Sequence, residues 1–215
     1  MFGTFVLNNN YSSMYLINTP FFLRWYYLGV TWNRSRKDKK LYLTFDDGPI
    51  PEITPWILDL LDSNNIKATF FCVGENVVKH PAIYERLLNE GHKIGNHTYN
   101  HLKGWDTADK DYLENVEKCR LVTHSKLFRP PYARAKKSQI TKLKEQYELI
   151  YWDVLSGDFD VKLTPEKCLQ NVIKYTKNGS IIVFHDNIKA IPRIQYALPK
   201  FIAYALQEGY TFDTL

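Results

Sequence analysis

Cysteine is scarce in this chain of 215 residues: there are three, Cys72, Cys119 and Cys168, widely separated and odd in number. No CxxC pair occurs, so neither a disulfide framework nor a cysteine zinc site is suggested, and buried thiols are expected. A long apolar run is missing too. The most apolar stretch, Pro20 to Trp32, is interrupted by Arg24 and falls short of the ~20 residues that span a bilayer. It could lie on a membrane surface, but packing against the domain is the simpler expectation. No basic segment followed by an apolar one and a small-residue cleavage site opens the chain, so no secretory signal is read and a cytoplasmic location is the default. Met14, after a polar stretch, is a second candidate start. Nor does charge of one sign dominate. A net charge of +5, with no basic-aromatic module, is too sparse for a nucleic-acid binder and names no other partner.

Aromatic residues are plentiful at 15%, with 15 Tyr, 12 Phe and 5 Trp. Such a composition suits one large core, and also a surface that stacks on sugar rings. The basic run from Arg34 to Lys40 reads as a solvated connector. Residues 1–40 are therefore expected to form an extension packing on a domain that covers 41–215.

From Leu41 onward two patterns alternate. Short β-branched and aromatic runs occur at Leu41 to Phe45, Ala68 to Val73, Lys93 to Gly95, Leu127 to Phe128, Leu149 to Trp152, Ser180 to Phe184 and Tyr210 to Phe212. Between them lie segments with helical spacing, such as Trp56, Ile57, Leu60 and Leu61. Thr54, Asp111 and Thr164 suit helix starts, and Gly91 and Gly209 suit helix ends. Seven strands joined by helical crossovers imply parallel pairing, hence an α/β sheet or barrel. In a parallel barrel the strand C-terminal ends share one rim, where active sites are built.

The reactive side chains fall at those ends. Thr44-Phe45-Asp46-Asp47-Gly48-Pro49 places two carboxylates after the first strand. Alternation sends the two in different directions, so one can bind a metal while the other faces a reacting water. An ordinary Asp-Gly turn explains the hexapeptide alone about as well. His97 and His101 are four residues apart, spacing expected to bring both imidazoles to one side of a helical turn, with Thr98 placed to orient a ligand. With Asp47 they would make an open three-ligand site for a divalent metal, zinc by default. In Phe128-Arg129-Pro130-Pro131-Tyr132 the prolines lack N–H groups, so the Tyr132 amide is the next donor available to an oxyanion. Asp153, Asp158 and Asp160 surround an apolar wall, and His185 ends a buried strand, where it suits proton transfer or a structural role.

This set resembles the polysaccharide deacetylases with the NodB-homology domain, carbohydrate esterase family 4. Thr44 to Gly48 looks like the family's TFDDG motif, His97 to His101 like H(S/T)xxH, and Arg129 to Tyr132 like RxPY. Asp158-Phe159 looks like its acidic-aromatic wall and Phe184-His185 like its final histidine motif. The resemblance implies a single-domain distorted (β/α)7 barrel with parallel strands. It also implies Asp46 as base, Asp47, His97 and His101 as metal ligands, and Arg129 orienting Asp46. Tyr132 would be the oxyanion donor and His185 the acid, tuned by Asp158. Phe159 stands where Trp is common and Ala133 where Gly is usual. The implied activity is hydrolysis of a carbon–nitrogen bond other than a peptide bond, removing N-acetyl groups from a sugar or glycan. Rival readings are a related amidohydrolase acting on a formyl or cyclic amide, and a non-catalytic glycan-binding module.

Overall fold

The computed structural model describes residue 17 and residues 29–215. Met14 and most of the apolar stretch that begins at Pro20 lie outside the described residues.

Strand β1 (Lys40–Asp46) is central, with the strands on both its sides parallel to it. Leu43, Thr44 and Phe45 are fully buried, as befits a strand covered on both faces. On one side follow β2 (Thr69–Cys72), β3 (Lys93–Asn96), β4 (Leu127–Phe128) and β5 (Glu148–Leu149); on the other lie β7 (Ile181–His185) and β6 (Val154–Leu155). A short β8 (Thr211–Phe212) pairs with the start of β1. All pairings are parallel, so the strands end at a common rim.

Seven helices cover the sheet among the described residues: α1 (Thr54–Ser63), α2 (Gly74–Lys79), α3 (Pro81–Asn89), α4 (Asp109–Thr123), α5 (Lys137–Leu143), α6 (Pro165–Tyr175) and α7 (Ile191–Gln207). The last shows the logic best. Its buried Ile194, Ala197, Leu198, Phe201, Ile202 and Ala205 recur at helical spacing and face the sheet, where Phe184 meets Phe201. Phe45 stacks on Phe70 with ring centroids 4.8 Å apart. Burying each large side chain of this kind contributes roughly 1.5–3 kcal/mol. Thr164 caps α6 by accepting the Lys167 N–H at 3.2 Å, with Pro165 at the first helical position. Gly91 and Gly209 take the positive φ expected of helix stops.

Two expectations need correction. The sheet has an eighth strand, β6, so Asp158 follows β6 and not the strand before it. Two residues cannot display alternation, and Val154-Leu155 merges with the preceding aromatic run. The basic run, in turn, is not simply solvated. Arg34 pairs with Glu148 at 2.7 Å and Arg36 with buried Asp153 at 2.6 Å. Just before these, Thr31 bridges to Ile150 beyond β5, and Asn33 bridges to Ser180 at the foot of β7.

Candidate active site

Asp46, Asp47, His97, His101, Tyr132 and His185 line one cavity of about 770 Å³ at the rim. Arg129 and Asp158 are fully buried behind it. The eight residues expected to carry the chemistry are thus brought together. Asp153 and Asp160 are not part of this group. Asp153 lies at the opposite end of β7, accepting the Ile181 N–H, and Asp160 accepts the Lys162 N–H in a surface turn.

The turn after β1 is held from β7. Asp186 accepts the Gly48 N–H at 2.9 Å and the Thr54 hydroxyl at 2.7 Å. A Cβ on Gly48 would lie 1.8 Å from Asp186 Oδ2, so no other residue fits. Burial pushes the Asp186 carboxyl up to about 8 against these bonds. Asp47 takes a positive φ of 92°, which turns its side chain away from that of Asp46. The Asn76 amide donates to the Asp47 carbonyl at 2.8 Å and fixes the turn from α2.

Asp47 Oδ2 accepts from Asn187 Nδ2 at 2.5 Å, while Asn187 Oδ1 accepts the Ala190 N–H. Its Oδ1 is buried, accepts no hydrogen bond, and is approached by His101 Nε2 at 3.0 Å and His97 Nε2 at 3.6 Å. His97 Nδ1 lies 2.7 Å from the Arg129 carbonyl, which can only accept, so Nδ1 carries the proton and Nε2 is a bare lone pair. Burial holds the His97 ring neutral, down at about 4. Burial alone would raise Asp47, but His101, His185 and His97 pull it well below the carboxylate range. An anionic oxygen left unsatisfied and facing an imidazole lone pair is unfavourable unless a cation sits among them. One ligand atom from each of the three residues falls within 4.8 Å of the others, so the donor set fits a divalent metal.

The helical rationale for His97 and His101 does not hold. Residues 97–101 form a loop in which Thr98 (φ 65°) and His101 (φ 60°) are left-handed. Asn96 and Asn115 shape it. Asn96 Oδ1 accepts the Thr98 N–H, and Asn115 Oδ1 accepts the Tyr99 N–H. The buried Thr98 hydroxyl accepts the Leu102 N–H at 3.0 Å and so orients the loop.

Arg129 is enclosed by aromatic rings, 4.0 Å over Phe71, and donates to Asp46 Oδ1 at 2.6 Å and to the Thr44 hydroxyl at 2.8 Å. Its Nε and Nη2 donate to the Ile150 and Tyr151 carbonyls. After Arg129, Ala133 and Arg134 spend their amides on the Pro130 and Pro131 carbonyls, which leaves Tyr132 N–H as the loop's remaining donor. Tyr132 (φ 60°) and Ala133 (φ 55°) are both left-handed, a conformation costing roughly 1–2 kcal/mol per non-glycine residue. Across the cavity, His185 Nδ1 meets Asp158 Oδ1 at 2.8 Å, and the His185 N–H donates to Asp158 Oδ2. Burial opposes a charged ring, yet Asp158 prevails and raises His185 to about 9. Phe159 packs edge-on against the ring at 4.9 Å.

Residues 33–150 match the polysaccharide deacetylase family. The chain belongs to that family. It is 34% identical over 193 residues to the peptidoglycan-N-acetylglucosamine deacetylase of Bacillus cereus, covering 86% of this chain and 91% of that protein. Identity to the peptidoglycan-N-acetylmuramic acid deacetylase of Bacillus subtilis is 31%, over 88% of this chain and 73% of the other. A solved peptidoglycan N-acetylglucosamine deacetylase, in complex with 4-naphthalen-1-yl-N-oxidanyl-benzamide, superposes with a TM-score of 0.84 at 33% identity and covers 92% of this chain and 95% of the other. The fold is therefore the deacetylase barrel, and the chain is a carbohydrate deacetylase by kinship. The His185–Asp158 pair lies beyond the residues that match the family model, and its case rests on the geometry above. Asn187, Asp186, Asn96 and Asn115 were not foreseen as deacetylase site residues. Asn96, Asp186 and Asn187 left a trace in the sequence, as polar neighbours of His97 and His185.

Proposed function

We propose that the protein removes the N-acetyl group from an N-acetylglucosamine residue of a glycan, with a divalent metal, zinc in the first instance, held by Asp47, His97 and His101. The single observation that carries this reading is the unsatisfied Asp47 Oδ1 between two imidazoles, beside a second carboxylate that is held by a buried arginine. Such a metal supplies Lewis-acid polarisation to the amide carbonyl and to water. Kinship to enzymes named for N-acetylglucosamine and N-acetylmuramic acid supports the substrate class.

Asp46 is the base in this scheme. Arg129 occupies its Oδ1, which leaves its other oxygen to take a proton from water. The Tyr132 N–H, held by the strained loop, is offered to the oxygen that gains charge as the amide carbonyl is attacked. His185, protonated through Asp158, gives a proton to the amine, which cannot leave as an amide anion. Exposed Tyr132 and half-buried Phe159 flank the opening as faces for a sugar ring.

Acetate release from N-acetylated oligosaccharides tests the reading, comparing stripped protein with protein given Zn²⁺. Metal-dependent acetate is the expected result. Formate release from a formylated sugar, or no acyl release with metal bound, would reject it.

A further inference from the structure

Among the described residues, the sheet order places no named strand between β5, which stops at Leu149, and β6, which begins at Val154. Thr31 takes that place. Its N–H donates to the Leu149 carbonyl at 2.8 Å, and its carbonyl accepts the Tyr151 N–H at 2.8 Å. On the other side, the Ile150 N–H donates to the Phe128 carbonyl. Ile150 and Tyr151 are thus suspended between β4 and the segment preceding β1. Trp32 adds a ring contact on Tyr151 at 4.8 Å. The segment is itself clamped, because Glu148 accepts from the Thr31 hydroxyl at 2.8 Å and from Arg34 at 2.7 Å.

The carbonyls of that suspended pair point to one group. Ile150 O and Tyr151 O each accept from Arg129, from Nε and Nη2, both at 3.2 Å. Arg129 Nη1 serves Thr44 and Asp46. Besides Asp46 and the Phe71 ring, the guanidinium is held by these two carbonyls and the Thr44 hydroxyl. A continuous line of hydrogen bonds therefore runs from Thr31 through Tyr151 and Arg129 to Asp46. We propose that the segment around Thr31 is a positioning element for the base: it fixes the Ile150–Tyr151 carbonyls that set Arg129, and through Arg129 the direction of Asp46. Thr31 and Trp32 precede the residues that match the family model, so that match does not assign them this role. The inference rests on the deacetylase reading for its kinetic readout, but not for its structural one. Misplacing a reacting group by about 1 Å can cost on the order of 10²-fold in rate, so a small slackening is measurable.

Thr31→Pro removes the N–H that binds Leu149, and Glu148→Ala releases the clamp at an exposed pair that the fold does not need. Thr31→Ser, which keeps both backbone bonds and the hydroxyl that binds Glu148, is the control. The first readout is solvent exchange of the Arg129 Nε–H by NMR. Exchange is expected to be slow in the unmodified protein and in Thr31→Ser, and faster in Thr31→Pro and Glu148→Ala. The second is kinetic: kcat is expected to fall about tenfold in Thr31→Pro and about threefold in Glu148→Ala, with KM within about twofold and metal content unchanged. In an Arg129→Lys background, where a cation stays near Asp46 but the fork to the two carbonyls is lost, Thr31→Pro should cost nothing further. Unchanged Arg129 exchange in both variants overturns the proposal, as does an undiminished kcat penalty in the Arg129→Lys background. Should Thr31→Pro fail to fold, Glu148→Ala carries both readouts. If the unmodified protein releases no acetate, the deacetylase reading fails while the exchange rates still decide the positioning role.

Discussion

His97 and His185 face each other across one cavity, His97 buried and His185 half-buried, both with Nδ1 occupied, and they are driven in opposite directions. Nδ1 of His97 meets a neutral acceptor, the Arg129 carbonyl, while Nδ1 of His185 meets the Asp158 carboxylate. Burial disfavours the charged ring in both cases. Against a carbonyl it prevails, and His97 is held at about 4; against a carboxylate it does not, and His185 is raised to about 9. The partner on the far nitrogen therefore decides what the near nitrogen offers: a lone pair on the metal side, a proton on the other. One imidazole chemistry serves two roles because β4 delivers a carbonyl and the loop after β6 delivers an acid.

The most drastic way to break the contrast is to remove the lone pair. In His97→Ala bound zinc should fall to background and deacetylation with it, as metal analysis would show; full zinc content would refute the ligand assignment. Removing the base gives the next largest loss. Asp46→Asn should keep its zinc yet lose ~10²–10⁴ in turnover, because its neighbour Asp47 holds the metal-facing position. Loss of zinc from a folded Asp46→Asn would mean the two acids do not divide the work this way.

Removing the proton side sharpens the comparison. His185→Ala should cost a similar ~10²–10⁴ on an N-acetyl sugar and far less on an activated aryl acetate, whose leaving group needs no proton. Equal losses on the two substrates would return His185 to a structural role. A smaller change comes from Asp158→Asn. The carboxylate raises His185 while burial lowers it, so without the carboxylate the alkaline limb of kcat, near pH 9 in the unmodified protein, should move down towards or below the ordinary histidine value. The same raised value stabilises the fold below about pH 6.5, and that contribution is lost as pH rises through about 9. Smallest is Ala133→Gly. Relief of the left-handed backbone at φ 55° should add roughly 1 kcal/mol of stability, or about 2–4 °C in Tm.

The contrast also marks how far the sequence could be read. Strand ends were legible because parallel strands buried on both faces make continuous apolar runs, and acids and histidines interrupt those runs sharply. Val154-Leu155 was not, since two residues carry no period. The pairing of His97 with His101 was legible as composition, but its helical explanation was wrong. The loop is shaped by a local bond from the Thr98 N–H to Asn96 and by a tertiary one from the Tyr99 N–H to Asn115, and the tertiary bond leaves no mark on the spacing. The contact of Thr31 with Leu149 and Tyr151 was illegible for the same reason, because a backbone bond across that separation leaves no mark on residue type. Departures from the family pattern were more telling. Ala133 stands where glycine is usual, and the backbone there is left-handed.

The contrast between the two histidines is tested most directly by a nitrogen-15 NMR titration of the metal-free protein, following all four ring nitrogens of His97 and His185. His97 is expected to remain neutral, protonated on Nδ1, until the pH falls to about 4, while His185 remains an imidazolium until about 9. Two rings titrating together near the ordinary value of ~6.5, or His97 carrying its proton on Nε2, would contradict the account.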